Sequence, residues 1–269
     1  MKKYLLILSL LACFTHPTVA QHESPYKTST QVDLPVTVGG IALSGLGLYL
    51  ISNKHGISDE HARSLDKADV NRFDRFSAGN YDEDAKKLSD PFFYGSFASP
   101  FLLLLNDNIA PKAGQVAALY VETMAVTGTI FAMTAGNVYR LRPLAYGGDE
   151  VPLGEKTTKN ARNSFFAGHT AATASATFFA AKVFHDFNPD SPARPYVWAA
   201  AAAVPATVGY LRLKSGKHFL SDNLLGYALG AGAGILVPQL HKKASSLGLH
   251  ITPVSHPVTG DGLALTYIF

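Results

Sequence analysis

Leu211-Arg212-Leu213-Lys214-Ser215-Gly216-Lys217-His218-Phe219-Leu220-Ser221-Asp222 is a short polar joint between two long apolar stretches. His218 and Asp222 are four positions apart, so a helix would carry them on one face. A carboxylate placed there can accept a hydrogen bond from one ring nitrogen. That fixes the tautomer and leaves the other nitrogen free to attack. Gly216 lets the chain turn, so that Arg212 can face the same spot. A triplet of this kind also arises by chance, so its meaning depends on what surrounds it.

Outward from this joint the chain reads as all-α. Six apolar stretches are long enough for helices: Val32–Ile51, Pro91–Leu105, Ala113–Ala135, His169–Phe184, Pro195–Leu213 and Leu220–Leu240. Small residues recur at helical spacing, Gly226, Gly230 and Gly234 in the last stretch and Gly40, Ser44 and Gly45 in the first, which lets helices approach closely. Pro205 is expected to kink the fifth stretch. Two more polar clusters sit at stretch ends. Arg140-Leu141-Arg142-Pro143 follows the third, and Ser164-Phe165-Phe166-Ala167-Gly168-His169-Thr170 opens the fourth. At a helix start His169 either caps the helix or donates a proton to a leaving oxygen. The free N–H groups there, with Gly168 allowing close approach, suit an anion. If consecutive helices run antiparallel, all three clusters meet at one end of the bundle. Two arginines, two histidines and an aspartate then converge, and arginine forks suit phosphate oxygens. No Cys or acidic cluster accompanies them. A reaction through phosphohistidine, with no metal site and no cofactor, is the simplest expectation.

The remaining sequence bounds the setting. Hydrophobic residues make up 47% and charged residues 16% of the 269, against about 25% charged in a typical soluble domain. A net charge of +3 without a dense basic tract gives no reason to expect nucleic acid. Residues 1–20 read as a secretory signal: Lys2 and Lys3, an apolar Tyr4–Phe14, then Thr18-Val19-Ala20 at the cleavage site. An uncleaved anchor and a lipoprotein box ending at Cys13 are alternatives. Residues 21–90 are an N-terminal helix and polar connector, in which Asp66, Asp69, Asn71 and Asp74 read as caps and solvated turns rather than a calcium loop. Residues 91–240 form the core, and 241–269 a tail read as a short hairpin or terminal strand.

With these motifs on the page, the chain resembles the phosphatidic acid phosphatase type 2 (PAP2) and vanadium haloperoxidase superfamily. Its motifs are Lys-x6-Arg-Pro, Pro-Ser-Gly-His and Ser-Arg-x5-His-x3-Asp. Arg142-Pro143, Gly168-His169 and Arg212/His218/Asp222 match in order and spacing, over roughly Pro91–Leu240. The resemblance implies a six-helix bundle with His218 as nucleophile, Asp222 orienting it and His169 as general acid. Arg142, Arg212 and the Gly168 amide would hold the phosphoryl group. The motif lysine is replaced by Ala135, the Pro-Ser pair by Phe166-Ala167 and the last serine by Leu211. Arg140 is the candidate to stand in for the lysine. The implied activity is a phosphatase acting on a phosphorylated lipid or small phosphomonoester at a membrane. The alternatives are a vanadate-dependent haloperoxidase or a degenerate bundle that binds lipid headgroups.

Charge and family point to opposite sides of a membrane. The connectors on the site-bearing side hold most of the Lys and Arg, among them Lys54, Lys156, Lys159 and Arg162, which places that side in the cytoplasm. The resemblance implies a bacterial envelope protein with an exported site, membrane-associated or periplasmic. The exported reading is the one carried forward.

Overall fold

The structure is a computed structural model that describes residues 23–243, together with the backbone of 249–256 and 260–267. The expected signal segment, residues 1–20, lies outside the described residues. The fold is a helical bundle with six long helices: α1 (Thr30–Ser52), α2 (Glu83–Ser96), α3 (Ala113–Asn137), α4 (Gly168–Phe187), α5 (Arg194–Lys214) and α6 (Leu220–Leu240). The short helices Asp59–Ser64, Ser99–Leu102 and Leu153–Thr157 add to the six expected. In the tail, Leu249–His256 pairs antiparallel with Gly260–Tyr267.

One boundary departs clearly from the expectation. The second helix does not begin at Pro91 but at Glu83, inside the supposed connector, where the Asp82 carboxylate accepts the Ala85 N–H at 2.8 Å. An N-cap outweighs hydropathy in fixing a helix start. The apolar run beyond it breaks at Phe97–Ala98, ahead of a new short turn with Pro100 in its first positions. α5, in contrast, continues through Pro205.

α4 is the centre of the bundle, packed against α2, α3, α5 and α6, with most of its side chains buried. Its contact with α6 is backbone to backbone. A Cβ on Gly226, Gly230 or Gly234 would come within 2.5, 2.0 or 2.6 Å of the carbonyl oxygens of Ala167, Ala171 and Ser175. The glycine stripe of α6 therefore rides along one i, i+4 row of α4. α1 packs on α3 in the same way, Gly40 against Ala125 and Gly47 against Ala132, whereas Gly45 faces open space. Gly47 takes the packing role expected of Gly45.

Far from the polar end, Ile109, Leu119, Phe179 and Val183 form the largest buried cluster. Their removal from water is worth about 1.5–3 kcal/mol per side chain. α1, by contrast, leaves Val32, Leu34, Val38, Ile41, Leu48 and Tyr49 exposed. α1, α6 and residues 110–137 are long and apolar enough to cross a membrane. The 23 residues of α1 span about 35 Å, a little more than a hydrocarbon core of ~30 Å.

Candidate active site

The C-terminal ends of α3 and α5 and the N-terminal ends of α2, α4 and α6 lie at one end of the bundle, with the three polar clusters among them. Arg142 leaves α3 in extended backbone that is tied to Ala161, its N–H donating to that carbonyl at 2.8 Å. Arg212 ends α5. Gly216 turns the chain with φ +69°, and the Asn80 carbonyl packs so closely that a Cβ would sit 1.7 Å from it. The Lys217 and His218 N–H groups both return to the Arg212 carbonyl, at 3.1 and 3.3 Å. This turn delivers His218 beside Arg212.

His218 is buried, 3% exposed. Its Nδ1 lies 2.6 Å from the backbone carbonyl of Ser164. A carbonyl only accepts, so Nδ1 carries the proton and Nε2 keeps its lone pair. The expected partner, Asp222, does not make this bond. α6 starts at Leu220 with Phe219 as N-cap, so His218 precedes the helix and shares no helical face with Asp222. The Asp222 carboxylate instead accepts from the Ser164 hydroxyl at 2.6 Å, from the Phe219 N–H at 2.9 Å and from Arg140. Asp222 therefore reaches the ring through Ser164: it holds the side chain of the residue whose carbonyl holds His218.

Arg140 belongs to this support and not to the anion pocket. Its guanidinium pairs with Asp222 and with Asp74 at 2.7 Å, donates to the Ser221 hydroxyl at 2.9 Å and lies 4.7 Å from the centre of the Phe219 ring. With two carboxylates on it, it has no free fork for a phosphoryl group. The substitution for the missing lysine is thereby corrected. Asp74, read as a solvated turn, is 1% exposed and also accepts from the Ser221 N–H and hydroxyl at 2.9 and 2.6 Å.

The two remaining arginines act on both imidazoles. Burial, then Arg142 and Arg212, hold His218 well below the usual range. Burial, then Arg212 and Arg142, push His169 down to about 3. Arg142 is itself lowered to about 10, by burial and by Arg212. Arg212 is buried and Arg142 half-buried, and the repulsion between their guanidiniums would be relieved by an anion. The Arg212 Nε is buried with no acceptor among the described residues, and its Nη1 reaches only the Ser89 hydroxyl at 3.4 Å.

His169 is the second residue of α4. Ala171 makes the helix's first backbone bond, to the Ala167 carbonyl, leaving the Gly168, His169 and Thr170 N–H groups ahead of it. Gly168 leaves room for Phe131: a Cβ would sit 2.5 Å from that ring, which would have to move.

Several contributors escaped the sequence reading. Phe93 stacks on His169 with ring centres 4.1 Å apart. With Ser89 and Lys86 it forms an i, i+3, i+7 row on α2, a signal present in the sequence but hidden by the misplaced helix start. Lys217 is 4% exposed, and Arg142 and Lys86 help to lower its ammonium after burial. On the same side, Lys54, Lys156 and Lys159 donate to backbone carbonyls of Val138, Gly147 and Ser52, so these cations close loops and helix ends as well as charging that face.

A helical bundle that gathers a buried and a half-buried arginine, a helix N-terminus and a tautomer-fixed histidine at one end has the chemistry of an anion-binding site. The chain belongs to the PAP2 superfamily, whose family model matches residues 96–246. Comparison with curated proteins and with solved structures returned no match. Membership makes the chain a phosphatase or phosphoesterase in kind.

Proposed function

We propose that this chain hydrolyses phosphate monoesters, on phosphorylated lipids or diphosphates at a membrane surface, through a phosphohistidine intermediate at His218. The observation that carries this reading is the His218 tautomer: a bare Nε2 on a buried ring in the field of the Arg142 and Arg212 guanidiniums. Arg142, Arg212 and the first N–H groups of α4 hold the phosphoryl oxygens. Nε2 attacks phosphorus, a P–N bond forms and the P–O bond to the leaving group breaks. His169 gives its proton to the departing oxygen. Water then attacks phosphorus, His169 takes up the water's proton, and the P–N bond breaks to release phosphate.

His169 is neutral when the arginine field is uncompensated. A phosphate dianion offsets that field and raises the imidazole's proton affinity, so the acid is charged by the substrate it serves. The three apolar helices and the exposed apolar surface of α1 support a membrane-held enzyme and hence lipid substrates. An exported, envelope-facing site remains the favoured orientation.

The test is phosphate release in detergent from phosphatidic acid, an isoprenyl diphosphate, a phosphorylated glycolipid and p-nitrophenyl phosphate, with His218→Ala alongside. Acid-labile, base-stable labelling of the wild type and none in the variant is expected. Turnover that survives His218→Ala would refute the mechanism.

A further inference from the structure

At the end of the bundle away from the histidine pair, we propose that Asp33, Glu122 and His241 form a site for one divalent cation of the zinc class, bridging α1, α3 and the C-terminus of α6. The His241 Nδ1 lies 2.8 Å from the Val237 carbonyl. That bond puts a proton on Nδ1 and turns Nε2 towards the carboxylates, where it donates to Asp33 when protonated and offers a lone pair to a cation when it is not. A carbonyl behind a ligating imidazole is the usual means of orienting one.

Nε2 is 3.2 Å from Asp33 Oδ1 and 3.5 Å from Glu122 Oε2. One ligand atom from each residue lies within 4.8 Å of the others. Zinc–nitrogen and zinc–oxygen bonds of about 2.0–2.2 Å put neighbouring tetrahedral ligands about 3.4 Å apart. The two measured edges bracket that value.

The second observation is Glu122 itself. Its side chain is 8% exposed, points at His241 and makes no hydrogen bond among the described residues. Asp33 is better provided, since its other oxygen accepts the Ser29 N–H at 2.6 Å. When both carboxylates are ionised, one imidazolium cancels only one of them, whereas a divalent cation on the neutral ring balances both. Of the nearby lysines, Lys242 pairs with Asp186 at 2.7 Å and Lys243 with Glu23 at 3.1 Å, while Lys27 lines the groove itself. A groove of about 800 Å³, lined by Lys27, Val36, Leu229 and Leu236 among others, opens onto the three residues. One imidazole with two carboxylates selects zinc over magnesium, which prefers oxygen and retains its waters.

The full chain, purified in detergent and stripped with EDTA, is titrated calorimetrically with Zn²⁺ in phosphate-free buffer, with Mg²⁺ as comparison. The wild type is expected to bind about one equivalent of Zn²⁺ and to melt higher with it. Glu122→Gln and Asp33→Asn, both near-isosteric, should each weaken binding by more than the roughly 10–100-fold that loss of an outer hydrogen-bond partner costs a metal site. His241→Gln should do the same. Helical circular dichroism of each metal-free variant checks folding. Absence of stoichiometric Zn²⁺ binding, or binding that all three folded variants retain, overturns the proposal and leaves His241 as an imidazolium bridging two carboxylates.

Discussion

Gly230→Ala adds one methyl group where α6 crosses α4. The new Cβ would lie 2.0 Å from the Ala171 carbonyl oxygen and 2.9 Å from its Cα. Both are backbone atoms and cannot swing aside, so the helices must part. The first distance is about 1.4 Å short of ordinary contact. Gly232→Ala supplies an internal control two residues along the same helix, where a Cβ meets nothing within 4 Å. Both changes gain the ~1 kcal/mol of helix propensity that separates Ala from Gly. That gain cancels in the comparison and leaves the overpacking cost, about 1–3 kcal/mol. At roughly 2–4 °C per kcal/mol for a chain near this size, Gly230→Ala should melt about 2–12 °C below Gly232→Ala. Ala171 is two residues from His169, so parting the helices also shifts the proton donor. A displacement of about 1 Å costs up to ~100-fold in kcat. Thermal unfolding by circular dichroism in detergent, with phosphate release on the same samples, reads both effects. If the two variants melt together and turn over equally, α6 does not ride on the α4 backbone and the packing argument fails.

Three further outcomes follow from the site. Ser164→Ala keeps the carbonyl that orients His218 but strips a hydroxyl from Asp222; it should lose about 1.5–3 kcal/mol of stability and lower kcat without abolishing it, as chemical denaturation and steady-state kinetics would show. Arg140→Ala leaves the Asp74 and Asp222 carboxylates buried and unpaired, so a loss of about 3–5 kcal/mol is expected; Arg140→Lys should restore part of it, and a stable Arg140→Ala with raised KM alone would return this residue to the phosphate pocket. Because His169 is depressed from its usual 6.5 to about 3 in the folded chain, the unfolded chain binds more protons between those values, so stability should fall as pH drops from 6.5 towards 3. His169→Gln should flatten that part of the melting-temperature profile, and saturating phosphate should offset the loss in the wild type.

What the sequence displayed, and what it hid, divides along the reach of each interaction. Local periodicity and composition suffice to find α3, α5 and α6, and the parity of antiparallel helices is enough to bring Arg142, His169, Arg212 and His218 to one end. The spacing puts Asp222 on the right element but pairs it with the wrong neighbour, because four-residue spacing carries meaning only inside a helix and His218 stands just outside one. Arg140, Asp74 and Ser221 are joined across 66 and 147 positions, a separation at which no spacing rule operates. The start of α2 is set by the Asp82 cap, which lies nine residues ahead of the apolar run at Pro91, so hydropathy alone misses it.

The chain of support from Asp74 through Arg140 and Asp222 to Ser164 has a practical consequence for where this enzyme can be cut. The family's recognisable segment begins at residue 96, yet Asp74, Lys86, Ser89 and Phe93 all precede it. A fragment trimmed to the recognisable boundary would retain every motif and lose the anchor beneath one histidine and the aromatic wall beside the other. The segment the family model matches and the working unit are different lengths of polypeptide here, and expression of the shorter one should yield a protein that carries the motifs without the geometry.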